Sequence, residues 1–288
     1  MLLPLLVAAT ISVAATTTDL RDLVAAVGGD RVRVESLTHP RQGPHASEIH
    51  PRQLTLLSGA DVLVRIGLDH EPWLARALRA ARAAPGAAPR DLDASRAVAL
   101  LDAETPRLRA DRRPHVHAFG NTHYWLDPEN ARPITARIAE TLGEVRPADR
   151  ALFAANRDRF LRELDLRLVR WRAALRPYAG TRVVVAHDTW PYFARRFALT
   201  VVATVEEQPG VPPSPRYLGA LITRMKEAGV TTILAEPGAP AAVLARVAAG
   251  TGARVVTLAP SVGADPEATD YLTLFEVNVR RLVAALAR

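Results

Sequence analysis

The longest helical pattern in the sequence lies near its middle and constrains the fold more than any other stretch. Apolar and aromatic side chains recur there at helical spacing, in the order Phe153, Phe160, Leu164, Leu168, Trp171 and Leu175. Pro147 suits the first turn of a helix, and Pro177 ends the pattern. About 28 residues at ~1.5 Å each extend roughly 42 Å, the width of a whole lobe. We therefore predict one continuous helix over 147–176 that joins two lobes.

Strand-like and helix-like segments alternate on both sides of this helix. The predicted strands are 11–17, 32–37 and 61–66 before it, and 182–186, 199–205, 231–235 and 254–258 after it. Strands that alternate with helices favour a parallel sheet with helices packed on its faces. The predicted fold class is α/β, with two lobes of mainly parallel sheet joined by a long rigid linker helix. The predicted boundaries are 10–145 for the N-terminal lobe, 146–177 for the linker and 178–288 for the C-terminal lobe.

Composition limits the classes of function. The 288 residues suit about two domains, and 49% hydrophobic with 23% charged residues is typical of globular proteins. The net charge is +7, but the basic residues are spread along the chain and form no dense run interleaved with aromatic residues, so we expect no nucleic-acid binding.

The chain contains no cysteine, which excludes disulfides, thiolate metal sites and a lipid-modified N-terminal cysteine. Met1 to Ala15 is apolar and ends in small residues, like the later part of a secretory signal, although it lacks the usual basic opening. We predict that residues 1–9 are a signal-peptide remnant that runs directly into the first strand.

Three histidines occupy comparable places in the predicted fold. His187 follows a valine-rich strand, and His45 and His123 lie on loops after strand-like segments. Ligands of open α/β sheets bind beyond the carboxyl ends of strands, and three imidazoles form most of a tetrahedral zinc site. A single histidine in such a place is more often structural, but the pattern of three favours a shared metal ion. His115 and His117 lie in a polar stretch that we expect to be a solvated loop.

Several motifs together carry a family resemblance over almost the whole chain. They are Ala15-Thr16-Thr17-Thr18-Asp19-Leu20, Val27-Gly28-Gly29-Asp30, Pro44-His45 with Glu48, Ala60-Asp61-Val62-Leu63-Val64, His123-Tyr124-Trp125-Leu126-Asp127-Pro128, Ala186-His187-Asp188 with Tyr192-Phe193, and Ala235-Glu236-Pro237. In this order they resemble the cluster A-I substrate-binding proteins of zinc and manganese ABC transporters. The resemblance implies two α/β lobes joined by a rigid helix. It also implies a metal ion held in the cleft between them by His45, His123 and His187.

The resemblance also bears on which metal is bound. A histidine at 187 is similar to the zinc members, whereas manganese and iron members commonly have glutamate there. The aspartate that the family often supplies after the last strand is replaced by Ala259. The fourth ligand therefore stays open between water and the carboxylates Glu48, Glu206, Glu207 and Asp265. Glu48 and Glu236 are more often surface or helix-start residues than ligands.

The resemblance implies an exported periplasmic monomer that binds Zn²⁺, with Mn²⁺ second, and delivers it to an inner-membrane ABC permease. Two alternatives remain. One is a zinc-dependent hydrolase that uses metal-bound water, although the sequence has no His-Glu-x-x-His motif. The other is a metal-binding surface adhesion protein built on the same scaffold.

Overall fold

The computed structural model describes residues 10–40, 50–81, 88–101, 120–207 and 211–287. The chain divides into two compact units. Unit 1 comprises Met1–Ala97 and Arg132–Glu163, and unit 2 comprises Val98–Ala131 and Leu164–Arg288. Each unit contains a four-stranded parallel sheet, which confirms the predicted α/β class. The predicted boundaries at 145 and 177 stay a prediction.

Unit 1 is built on strands β1 to β4. Their bounds are β1 Ile11–Ala15, β2 Val32–Ser36, β3 Val62–Arg65 and β4 Arg90–Asp93. The helices are α1 Thr18–Gly28, α2 Pro51–Ser58, α3 Leu74–Ala81 and α4 Ala131–Val145, which begins at the last residue of a unit 2 segment. The strand order is β2-β1-β3-β4, so the chain changes direction across the sheet between β1 and β3.

Unit 2 repeats this arrangement with strands β5 to β8. Their bounds are β5 Arg182–Val185, β6 Thr200–Thr204, β7 Thr232–Ala235 and β8 Arg254–Thr257. The helices are α6 Pro191–Arg196, α7 Pro215–Glu227, α8 Ala241–Thr251 and α9 Tyr271–Leu286. The strand order β6-β5-β7-β8 places the switch point between β5 and β7. Ligands of open α/β sheets bind at such switch points, beyond the carboxyl ends of the strands.

The predicted long helix is confirmed. Helix α5 runs from Arg150 to Leu175, with a 3-10 turn at each end. It passes from unit 1 into unit 2 between Glu163 and Leu164. Its first half is anchored in unit 1 where Asn156 Nδ2 donates to the carbonyl of Val27 at 3.0 Å. Its second half is anchored in unit 2 where Trp171 Nε1 donates to Glu276 Oε2 at 2.8 Å.

Strand β4 was not predicted from the sequence, because Arg90-Asp91-Leu92-Asp93 contains three charged residues and shows no alternation of apolar and polar side chains. Among the described strands it lies at the edge of the sheet and pairs with β3 alone. An edge strand tolerates charged side chains that a central strand would exclude. Here Arg65 of β3 pairs with both aspartates, at 2.8 Å to Asp91 and 3.0 Å to Asp93.

None of the helices in the described parts of the chain combines the length and the apolar character needed to cross a bilayer. The predicted signal-peptide remnant, residues 1–9, lies outside the described residues, as do His115 and His117.

Candidate metal site

The carboxyl ends of three adjacent strands of unit 2 bring three polar side chains to one edge of the sheet. His187 lies two residues beyond β5, Glu206 two residues beyond β6, and Glu236 directly after β7. The parallel register pairs Val185 with Thr204 and with Leu234, so these three positions lie at the same level. This edge includes the switch point between β5 and β7, where a ligand site is expected.

Glu206 determines which nitrogen of the His187 ring carries the proton. Its Oε2 lies 2.7 Å from His187 Nδ1. A carboxylate only accepts hydrogen bonds, so Nδ1 carries the proton and Nε2 keeps its lone pair for a metal ion. Burial lowers the pKa of His187, but the hydrogen bond and charge of Glu206, with the charges of Glu236 and Asp188, outweigh burial and raise it above 6.5.

Glu236 differs from the surface or helix-start residue that the sequence predicted. Its Oε1 is buried and accepts no hydrogen bond from the described residues. Burial raises the pKa of this carboxyl group, against the opposing effects of the Thr189 hydroxyl and the charge of His187. A second acidic group therefore lies beside His187, on the side opposite to Glu206.

His123 lies next to His187 in unit 2. It is 5% exposed and directly precedes a 3-10 turn, Tyr124–Leu126. The centroids of the two imidazole rings are 5.8 Å apart, with the rings nearly perpendicular. Trp125 packs against His123 at 5.2 Å and donates from its indole to the carbonyl of Pro260 at 2.9 Å. The fold thus brings together two of the three predicted ligands.

Asn121 contacts both histidine-bearing segments, and sequence reasoning missed it. Its Oδ1 accepts the backbone N–H of His123 at 2.9 Å and lies 3.2 Å from the ring Nδ1. Its Nδ2 donates to the carbonyl and the carboxylate of Asp188, at 2.9 and 3.0 Å. The only signal in the sequence was its position two residues before His123.

Asp127 holds the other end of the His123 loop. It caps the following turn, accepting from the backbone N–H of Glu129 at 3.0 Å. Its side chain is fully buried and accepts two hydrogen bonds from Arg196, at 2.6 and 2.8 Å. Arg196 belongs to α6, the helix that follows His187, so this ion pair connects the two histidine-bearing segments a second time.

The aromatic residues that follow the two histidines in the chain are buried. Trp125 is 2% exposed, and Trp190, Tyr192 and Phe193 are fully buried. Phe193 stacks on Phe275 of α9, with ring centroids 6.4 Å apart. This packing fixes α6 in unit 2 and with it the segment that begins at His187.

Two carboxylates considered for the fourth ligand have partners of their own. Asp265 pairs with Arg281 at 2.7 Å. Slight burial alone would raise the pKa of Asp265, but the hydrogen bonds from Arg281 and from the backbone of Glu267, together with the charge of Arg281, outweigh burial and lower it. Glu207 accepts a hydrogen bond from the hydroxyl of Ser214 at 3.4 Å.

Ala259 is fully buried, and its backbone is fixed by the side chain of Asn278. The amide of Asn278 accepts from the N–H of Ala259 and donates to its carbonyl, each at 2.8 Å.

His45, the third predicted ligand, and Glu48 lie in residues 41–49, outside the described residues. Within the ranges that the structure describes, no group of three or more His, Cys, Asp or Glu side chains is arranged to hold a metal ion. The described residues of unit 2 therefore bring two histidines together, and a metal site there would need at least one further ligand.

Comparisons with known proteins identify a family for this chain. The family model for ZnuA, zinc-uptake complex component A, periplasmic, matches residues 13–285. The high-affinity zinc uptake system protein ZnuA of Paracoccus denitrificans (strain Pd 1222) is 27% identical over 279 residues, covering 86% of this chain and 81% of the relative. A crystal structure of a ZnuA 138-173 deletion mutant with zinc bound has a TM-score of 0.79 and 28% identity, covering 96% of this chain and 98% of that one.

The ZnuA protein of Brucella abortus (strain 2308) is 30% identical over 164 residues. This match covers 57% of this chain and 48% of the relative, so it spans about half of the relative's length. The family model, in contrast, extends over nearly all of the present chain and includes His45, His123 and His187. The resemblance seen in the sequence motifs is thereby confirmed, and the chain belongs to the ZnuA family of periplasmic zinc-uptake components.

Proposed function

We propose that this chain is the substrate-binding component of a zinc-uptake ABC transporter. It captures Zn²⁺ in the periplasm as a monomer and delivers it to an inner-membrane permease. The observation that carries the proposal is the placement of His123 and His187, with ring centroids 5.8 Å apart at the carboxyl edge of the unit 2 sheet. The family and the zinc-bound relative support the same metal.

The ligand set explains a preference for zinc. Imidazole nitrogen suits Zn²⁺, whereas Mn²⁺ prefers oxygen ligands. His123 and His187 are the proposed ligands in unit 2, and His45 completes the set on the evidence of its Pro44-His45 motif. Three neutral imidazoles leave the +2 charge of the ion uncompensated. Glu206 and Glu236, which both interact with His187, supply negative charge close to the ion.

We infer that zinc is the transported cargo and not a catalytic cofactor, because the family is described as a component of an uptake complex. A three-histidine site with bound water would otherwise suit a hydrolase equally well.

Metal content and competition test the proposal directly. Protein purified without added metal should contain zinc in a near-equimolar amount, and zinc should displace Mn²⁺ in a competitive titration. The reason is the nitrogen-rich ligand set. Protein that takes up no zinc, or that retains Mn²⁺ against zinc, would contradict the proposal.

We predict that the pH dependence of zinc binding is controlled by Glu206. Metal binds the deprotonated imidazole, so affinity in the wild type should fall as the pH drops through the raised pKa of His187, beginning above pH 6.5. Glu206→Gln removes the charge that raises this pKa, so the midpoint of the loss should move to lower pH. At high pH the variant should also bind zinc about 10–100-fold more weakly, because a carboxylate behind a histidine ligand is lost.

Glu207→Gln provides the matched control, since Glu207 is the next residue and bonds to Ser214. Zinc titrations across pH should separate the two variants, and identical profiles would refute the assignment of Glu206.

The stability of the metal-free protein should depend on pH in the opposite direction to its zinc affinity. A raised histidine pKa contributes stability that is present below pH 6.5 and is lost as the pH rises through the pKa of the folded state.

A further inference from the structure

We propose that Asn121 is the positioning residue that fixes His123 and His187 relative to each other before metal binds. Its role as a metal-site residue rests on the proposed function. Its role in holding the two loops together concerns the metal-free protein alone.

The acceptor end of the amide holds His123. Oδ1 receives the backbone N–H of His123 at 2.9 Å and lies 3.2 Å from the ring Nδ1. A carbonyl oxygen cannot donate, so this contact requires the proton on Nδ1 and leaves the lone pair on Nε2. His187 is held in the same tautomer by Glu206. Both rings therefore present Nε2, although one is backed by a neutral amide and the other by a carboxylate.

The donor end of the amide holds the segment that begins at His187. Nδ2 donates to both the backbone carbonyl and the carboxylate of Asp188, at 2.9 and 3.0 Å. Asp188 is the neighbour of His187 in the chain, so a single side chain spans the two histidine-bearing segments. Among side chains of this length only asparagine both accepts on one side and donates on the other.

The backbone of Asn121 is held as firmly as its side chain. Its N–H donates to the carbonyl of Leu101 at 3.0 Å, and its carbonyl accepts the hydroxyl of Tyr192 at 2.9 Å. The same hydroxyl accepts the N–H of Leu101 at 2.8 Å. Asn121 is 4% exposed, so water competes little for these bonds. The amide is therefore oriented by its surroundings and not by the metal.

This arrangement has a consequence for affinity. A ligand pair that is already in place loses little conformational freedom when the ion binds, and a loose pair must be ordered at that moment. Asn121 should therefore strengthen zinc binding without touching the ion.

Exchanging the amide of Asn121 and the carboxylate of Asp188 tests whether Asn121 holds the two histidine-bearing segments together. Asn121→Asp keeps an acceptor for His123 but places two carboxylates against each other, so zinc should bind about 10–100-fold more weakly. Adding Asp188→Asn restores one amide and one carboxylate in reversed order, so the double variant should recover part of the affinity. Recovery should be incomplete because the backbone carbonyl of residue 188 still lacks its donor. Asn130→Asp is the matched control. It removes an amide donor from the same region, the bond from Asn130 Nδ2 to the carbonyl of Tyr124, without contacting either histidine.

The metal-free protein provides an independent measurement. Nitrogen-15 spectra of the imidazoles should place the proton of His123 on Nδ1, protected from exchange with solvent. Asn121→Ala should speed that exchange, whereas Asn121→Asp should retain the protection. Unchanged exchange in Asn121→Ala, or zinc affinity in Asn121→Asp equal to that of the wild type, would overturn the inference. If the wild type binds no zinc, the proposed function fails, and the exchange measurement alone decides whether Asn121 orients His123.

Discussion

Replacing His187 or His123 with alanine should weaken zinc binding by more than about 100-fold, beyond the range that loss of a supporting residue causes. Each substitution removes an imidazole that we propose as a ligand, whose hydrogen bond at Nδ1 leaves the lone pair of Nε2 for the proposed metal ion. The fold should survive, because His187 lies beyond the end of β5 and His123 lies on a loop. Competitive zinc titration measures the loss, and circular dichroism measures the fold.

His39→Ala is the control for this experiment, since His39 is exposed and lies in unit 1. It should bind zinc as the wild type does. Wild-type affinity in either His123→Ala or His187→Ala, with the variant folded, would exclude that histidine from the site. Affinity lost equally in all three variants would show that the assay reports something other than this site.

Replacing Arg196 with methionine should cost about 3–5 kcal/mol of the free energy of unfolding of unit 2. The substitution leaves the fully buried carboxylate of Asp127 without its two short hydrogen bonds, and an uncompensated buried charge is strongly destabilising. Arg195, 3.6 Å from the same carboxylate and half exposed, offsets part of this loss. Urea denaturation followed by tryptophan fluorescence measures the change, because Trp125 and Trp190 are buried in unit 2.

Arg280→Met is the matched control for the ion pair. Arg280 pairs with Glu267 on the surface of the same unit, where solvent screens the interaction, so its loss should leave the midpoint nearly unchanged. Equal midpoints for Arg196→Met and Arg280→Met would show that the ion pair between Arg196 and Asp127 does not stabilise unit 2.

Local patterns in the sequence were sufficient for most of the fold. The helix predicted over 147–176 is α5 with its flanking turns, and strands such as β5 and β7 begin and end within a residue or two of their predicted bounds. These elements are readable because a buried face imposes a periodicity on the residues of a single segment. Strand β4 escaped prediction because its four residues, Arg90–Asp93, include a single apolar side chain, Leu92, and so show no apolar alternation.

For the proposed site, the sequence indicated His123 and His187, and the tertiary structure decided how they are arranged and which side chains contact them. His123 and His187 stood out from the sequence, since each follows a strand-like segment and belongs to a recognisable motif. The position of Glu206 behind His187, the buried Oε1 of Glu236 and the contacts of Asn121 with both segments depended on the fold. Each follows from the parallel register of β5, β6 and β7 or from contacts between segments far apart in the chain. Hydrogen bonds of this kind leave no periodic trace in the sequence, because they depend on distances that only the folded chain establishes.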